Sequence, residues 1–438
     1  MEHRVRVSYD RAVIAEAARH FAMRSIRKDG FAAFLALLVG LGLLIASGDR
    51  SWVVGVFGAG VVVAVAFGVL DRGPVASTTG LVPLAHRVPR PSPRSRMARE
   101  SHLEEHPMAN RVRAAFVGAG NRAFSAHYPA VKRLADEVEL AAVCEVDPAR
   151  LARGADYFDL PPERRYDDLN RMLAEVKPEL VYTIMGPTFV RPVAERCLAA
   201  GAHVVVEKPP GASIAEVEAL VRAARTANRQ GMVCFQRRHA AVVQETRRRI
   251  LARGPVTMCV LQFHKDLIPS GPSKDGMTTL WDDVVHVVDL ARFLCGGRVE
   301  EVHAYRDNPF TDWPSLYNAL VRFDSGATAL ISGNRTSGGR FLRAEAHGRE
   351  IGAYMDDLPR AVRFLQDNAR EPEEILGSQL SGSDEERTYD GVVEMHRHFL
   401  ECARKNQPAT SSFDDALETM RLCARIEQGA RQPAAASR

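Results

Sequence analysis

VRAAFVGAGNRA, residues 112–123, decides the fold. Val112 to Val117 is a short apolar run of strand character, and it breaks on Gly118-Ala119-Gly120-Asn121-Arg122-Ala123 before helix-like sequence runs to Ala135. The spacing is G-x-G-x-x-A. Gly118 permits the tight turn, Gly120 lets the backbone approach a pyrophosphate, and Ala123 allows close helix–strand packing. The helix that opens here, at Asn121 and Arg122, turns its positive dipole end toward phosphates. The motif alone is weak, because glycine-rich turns without a ligand are common.

Its context strengthens it. A second strand, VELAAVCEV at 138–146, places Glu145 beyond the turn, where a carboxylate can accept from both ribose hydroxyls. An acid there repels a 2′-phosphate, so NAD is expected over NADP; the bland alternative is a strand end capped beside Asp147-Pro148. Strand and helix then alternate through PELVYTIMGP and PVAERCLAAG to HVVVEKPPG at 203–211. That alternation predicts a parallel, doubly wound sheet with right-handed crossovers. Ligands of such sheets lie beyond the carboxyl ends of the strands, and Gly120, Glu145, Pro187 and Lys208 all fall at such ends. Proline cannot continue a strand ladder, so the valine run stops at Glu207-Lys208-Pro209 and leaves Lys208 at that edge.

The chain of 438 residues is too long for one core. Its net charge of +4 is uneven: residues 1–110 carry 14 Lys+Arg against 9 Asp+Glu, so the body is close to neutral and shows no charge-based sign of nucleic-acid binding. The seven cysteines are scattered and form no C-x-x-C pair, which suits reduced thiols better than a disulfide frame or a zinc site. Residues 31–47 and 52–70 are apolar and each near the length that spans a bilayer, so residues 1–72 are expected to hold a transmembrane helical hairpin. Both outer flanks are rich in arginine, which places them, and the enzyme body, in the cytoplasm. A buried helix pair is the alternative. Residues 73–109 read as a linker, and Met108 would make a natural start for a body that is simply cytoplasmic.

A second constellation lies in TTLWDDVVHVVDLARFL, 278–294. If this stretch is an α-helix, Asp282, His286 and Asp289 share one face at i, i+4 and i+7. Each has a plain structural reading: Asp282 a helix cap, His286 a core histidine, Asp289 a partner of Arg292. Asp282 and His286, with His264 upstream, lack a third ligand at diagnostic spacing, so no metal is expected. The stretches VTMCVLQFHKD, YNALVRFDSG, ATALISGNR and RFLRAEAHG alternate as antiparallel strands. The helices YDGVVEMHRHFLECARK and SFDDALETMRLCARIEQGA show core stripes and no evident chemistry.

With these residues placed, about 110–430 resembles the glucose–fructose oxidoreductase, inositol dehydrogenase and rhizopine-catabolism (Gfo/Idh/MocA) family, on VGAGNRA, the acid of CEVDP, AGAHVVVEKPP, FQRRH at 235–239 and DDVVHVVD. The resemblance implies an α/β chain: a Rossmann domain at 110–232 and a substrate and oligomerisation domain with a mainly antiparallel open-faced sheet at 233–430; the polar, alanine-rich tail at 431–438 is expected to be disordered on its own composition. It implies a homo-oligomer and an NAD-dependent oxidoreductase that oxidises a secondary alcohol of a sugar, cyclitol or derivative. An NAD-dependent glycoside hydrolase of the same fold and a membrane-tethered NAD sensor without catalysis are the alternatives. The family's E-K-P maps onto Glu207, Lys208 and Pro209, with Glu207 and Lys208 at the cofactor and Lys208 near the nicotinamide and the substrate hydroxyl. The family's catalytic Asp and His map onto Asp282 and His286, with Asp282 orienting the imidazole. Val284 stands where glycine is usual and is expected to narrow the substrate's approach. Arg191 stands where histidine is frequent; it could hold an acidic substrate group or equally be a solvated helix residue.

Overall fold

The computed structural model describes residues 111–272 and 276–431. The apolar runs at 31–47 and 52–70, the linker at 73–109 and residues 432–438 lie outside the described residues. Among the described residues no helix is long and apolar enough to cross a membrane.

The first domain opens with β1 (Val112–Val117), the glycine turn, a π-helical turn at Ala123–His127 and α1 (Tyr128–Arg133). There follow β2 (Val138–Cys144), α2 (Pro148–Tyr157), β3 (Arg165–Tyr166), α3 (Leu169–Val176), β4 (Leu180–Thr183), α4 (Pro187–Ala199), β5 (His203–Val206), α5 (Ile214–Ala227) and β6 (Gly231–Val233). The helices start where the sequence caps them. Asp147 accepts from the Arg150 N–H at 2.9 Å and Asp168 from the Arg171 N–H at 2.7 Å, each satisfying a free donor of a first helical turn. The six strands are parallel in the order β3-β2-β1-β4-β5-β6. The order reverses between β1 and β4, so the crevice for a ligand opens at their carboxyl ends, beside the glycine turn. Buried on both faces, these strands are near-continuous apolar runs rather than alternating ones.

The second domain carries α6 (Ala241–Leu251), β7 (Met258–Asp266), a π-helical turn at Leu280–Val284 and α7 (Val285–Cys295). Then come β8 (Val299–Asp307), β9 (Leu316–Phe323), β10 (Thr328–Asn334), β11 (Thr336–Gly348), β12 (Ile351–Met355), β13 (Ala361–Gln366) and β14 (Glu373–Leu376). Short helices α8 (Gly377–Ser381) and α9 (Glu386–Tyr389) lead to α10 (Val392–Lys405), α11 (Phe413–Glu427) and β15 (Ala430–Arg431). The sheet has nine strands, β14-β13-β12-β11-β7-β10-β9-β8-β15, antiparallel except for the β7–β10 and β8–β15 pairs. Sequence alternation had marked four of these strands. It passed over β8 and β12 to β14, which are short or half-exposed and lack a clean period of two.

The two C-terminal helices do not stay with that sheet alone. Val392, Val393, Met395, Phe399 and Leu400 of α10 share a buried cluster with Phe116 of β1 and Tyr182 of β4. Phe116 stacks on Tyr182 with ring centroids 4.7 Å apart. Each apolar side chain so buried contributes about 1.5–3 kcal/mol. A buried ion network ties α7 to α11 and to the turn at Gln236–His239. Arg238 Nε donates to Asp289 Oδ2 at 2.7 Å, Arg238 Nη2 reaches Asp415 Oδ2 at 2.6 Å, and Thr419 Oγ1 donates to Asp289 Oδ1 at 2.9 Å. Asp289 therefore pairs with Arg238 of FQRRH. Arg292, its neighbour along α7, goes to Asp415 instead, at 3.0 Å.

Candidate active site

Gly118 has φ +101°, and a Cβ there would stand 2.2 Å from the Ile184 carbonyl oxygen, so only glycine makes this turn without moving β4's end. Gly120 meets nothing within 4 Å of where a Cβ would be, which leaves the backbone open to a phosphate at the helix start. Ala123 is fully buried against the sheet. Glu145 extends from the end of β2, accepting from the Ala119 N–H at 2.9 Å and the Asp147 N–H at 3.1 Å. The carboxylate thus fixes the glycine turn, and each oxygen retains a lone pair for a hydroxyl donor. Pro187 starts α4 after Gly186, at the end of the β4 segment. These residues fit a dinucleotide: an open glycine turn, a helix start and an acid share one crevice.

Arg122 and Glu207 are not laid out as expected. Glu207, placed at the cofactor by sequence reasoning, is 5% exposed and turned inward. Its Oε1 accepts from Arg122 Nε at 2.5 Å and from His127 Nε2 at 2.7 Å, and its Oε2 accepts from the Lys208 N–H at 2.8 Å. Burial pushes this carboxyl upward, but Arg122, the His127 bond and Lys208 outweigh it and hold it well below the ordinary range. A carboxylate only accepts, so His127 Nε2 donates; His127 Nδ1 then faces His396 Nε2 of α10 at 3.0 Å. Glu207 is therefore a support that sets the backbone of Lys208, and Arg122 links the glycine turn to it. His127 and His396 went unread in the sequence because their partners lie 80 and 269 residues away along the chain.

Lys208 leaves β5 at a cis Lys208–Pro209 bond. Its side chain is 15% exposed, with Nζ bonded to the Asp282 carbonyl oxygen and 3.5 Å from Asp282 Oδ1. Asp282 lies in the π-helical turn and His286 in the first turn of α7, so the lysine of the first domain meets the second constellation here. Burial drives the His286 imidazole well below its ordinary pKa, and Lys208 is the strongest of the charges that add to this, ahead of Arg237 and Arg122. His286 is accordingly neutral near pH 7, and its buried Nδ1 has no hydrogen-bond partner among the described residues.

Two expectations fail at this turn. Asp282 does not hold His286: among the described residues no hydrogen bond joins them. The i, i+4 argument assumed an α-helix, but Leu280–Val284 is wound with i→i+5 bonding, which widens the turn and rotates Asp282 toward Lys208. Val284 does not narrow the substrate's approach either. It is fully buried and faces β10, where a Cβ on Gly333 would come within 2.8 Å of both its methyl groups. The glycine absent at 284 has a counterpart across the interface. Arg191 pairs along α4 with Glu195 at 3.4 Å and is 42% exposed, as a solvated helix residue is. Among the described residues no three His, Cys, Asp or Glu side chains gather as a metal site.

Residues 112–235 match the oxidoreductase family described as an NAD-binding Rossmann fold, and residues 252–353 match the GFO/IDH/MocA C-terminal domain. The chain belongs to the Gfo/Idh/MocA family. It is an NAD-binding oxidoreductase by that membership. Among Gfo/Idh/MocA relatives, D-apiose dehydrogenase of Paraburkholderia graminis is 23% identical over 329 residues, covering 71% of this chain and 86% of the relative. Myo-inositol 2-dehydrogenase of Thermotoga maritima is 23% identical over 294 residues, covering 65% of this chain and 86% of the relative. A solved levoglucosan dehydrogenase in complex with NADH and levoglucosan superposes with a TM-score of 0.65 at 18% identity, over 73% of this chain and 97% of its own, a likeness of fold.

Proposed function

We propose that the protein oxidises a secondary alcohol of a sugar, cyclitol or derivative, with Lys208 and His286 as its catalytic residues. The observation that carries this reading is the meeting of two distant segments at one crevice: Lys208 at the end of β5 is held by Asp282, four residues before a neutral His286 whose Nδ1 has no partner among the described residues. Gly118, Gly120, Ala123, Glu145 and Pro187 would hold NAD, which when bound supplies the hydride acceptor. Lys208 donates a hydrogen bond to the reacting oxygen and stabilises the negative charge that grows on it. His286 accepts the hydroxyl proton, for which a neutral imidazole is the competent form. Asp282 holds Lys208 through its carbonyl and carboxylate, and Glu207 fixes the lysine backbone from behind. Relatives named as D-apiose and myo-inositol dehydrogenases support the substrate class.

The test is NADH formation by the full chain with NAD and a panel of sugars and cyclitols. A substrate that reduces NAD, with turnover lost in Lys208→Met and His286→Ala while NAD still binds, supports the assignment; full turnover in both variants overturns it. We extend the proposal to location on the sequence of 31–47 and 52–70: the hairpin tethers the enzyme to the cytoplasmic face of a membrane. Recovery of the full chain in the soluble fraction of its host would remove this part.

A further inference from the structure

We propose that the substrate carries an anionic group, a carboxylate or a phosphate, received by Arg335, Lys265 and Arg340 on the sheet wall beside His286. This rests on the function proposed above and narrows its substrate class.

The sheet brings these cations together. Along β7 the inward row is Cys259, Leu261, Phe263 and then Lys265; along β10 it is Ala329, Ile331, Gly333 and then Arg335, just past the strand. The two strands are neighbours, with His264 level with Asn334. Both apolar rows therefore end in a cation at the same edge. Around the ring of Phe263 stand Arg335 at 4.6 Å, Lys265 at 4.8 Å and Arg340 at 5.6 Å, and the same ring lies 6.5 Å from that of His286.

The counter-charge falls short. Asp283, in the π-helical turn beside Asp282, accepts from Lys265 Nζ at 2.8 Å. Its other oxygen lies 3.4 Å from Arg335 Nη1 without forming a hydrogen bond. Asp283 is thus the one carboxylate in direct reach of Lys265 and Arg335, with Asp282 beside it adding a weaker pull on Arg335 and facing Lys208. Arg335 is 0% exposed, yet among the described residues none of its three guanidinium nitrogens has a hydrogen-bond partner. The other two buried arginines differ: Arg238 is forked onto Asp289 and also meets Asp415, and Arg237 is paired with Asp390. Burial lowers the pKa of both Arg335 and Lys265 against the pull of Asp283. A buried guanidinium left without hydrogen bonds is costly, and its planar fork matches a carboxylate or phosphate. The anion that sequence reasoning offered to Arg191 finds its donors here instead.

The experiment compares matched sugars with the full chain and NAD: glucose and galactose, their uronates and their 6-phosphates. At low ionic strength kcat/KM for a uronate or a 6-phosphate is expected to exceed that of its neutral parent at least tenfold, and the arm that wins names the anion. Arg335→Met and, since that site is buried, the exposed Arg340→Ala should each lower the anionic-to-neutral ratio severalfold. A neutral sugar oxidised as well as both anionic twins, or a ratio unmoved in both variants, overturns the anion site and leaves the oxidoreductase reading standing. Failure of every sugar with enzyme shown to bind NADH counts against the oxidoreductase reading itself.

Discussion

Two buried charges flank the reacting centre, and they are treated in opposite ways. Glu207 in the first domain has both oxygens engaged, by Arg122, His127 and the Lys208 N–H. Arg335 in the second has three guanidinium nitrogens and no hydrogen bond. A buried ion with its partners complete is scaffolding: it fixes its surroundings and has nothing left to offer a ligand. A buried ion without them retains its capacity to bind, at the expense of stability. Under the function proposed above, the contrast separates the residues that shape the site from those that would meet the substrate.

Lys208 stands between the two regions, and its removal has the largest effect. Lys208→Met should lower kcat/KM by roughly 10³-fold, within the span of general acid–base contributions, while NAD affinity measured by fluorescence titration stays close to that of the parent. Glu207→Gln breaks the satisfied side. Arg122 and His127 lose their anion, and urea denaturation should show a loss of roughly 3 kcal/mol.

Acid probes the neutral imidazoles that the interior holds. Burial lowers His203 to about 4 and His239 to about 3. The unfolded chain takes up protons near pH 6.5 while these folded imidazoles do not, so their stabilisation is present above pH 6.5 and is lost as pH falls. Between pH 7 and 5 each should cost on the order of 2 kcal/mol, seen as a falling denaturation midpoint, and a midpoint flat over that range would refute the burial argument.

Arg335→Met sharpens the comparison by its sign. Removing a cation that faces Asp283 at 3.4 Å without a hydrogen bond should leave stability unchanged or raise it by about 1 kcal/mol, since Lys265 still answers Asp283; a loss as large as that of Glu207→Gln would make the two charges alike. Arg191→Ala is the smallest change, within about 0.5 kcal/mol by denaturation, because it meets Glu195 only as a half-exposed i,i+4 helix neighbour at 3.4 Å.

The first domain was readable because its signals are local: VRAAFV, G-x-G-x-x-A and the valine run before Lys208 each carry their own chemistry. The convergence of Lys208 with Asp282 and His286 came from the family pattern, and its detail was beyond periodicity. An α-helical count cannot register the extra residue in the turn at Leu280–Val284, so it put Asp282 on one face with His286, and the family pattern could not show that Val284 packs against Gly333. His127, His396 and Arg335 were silent for a different reason. Each matters through what lies beside it in space, and in the sequence a buried histidine or arginine reads the same whether it is answered or not.

The seat of α10 beneath β1 and β4 has a consequence for the order of assembly. A ribosome has made the glycine turn and all six parallel strands long before it reaches Val392, so the nascent nucleotide-binding half waits with Phe116 and Tyr182 uncovered and His127 lacking His396. Its closure is among the last events of synthesis, and a chain cut short before α10 would present that aromatic surface to chaperones and proteases.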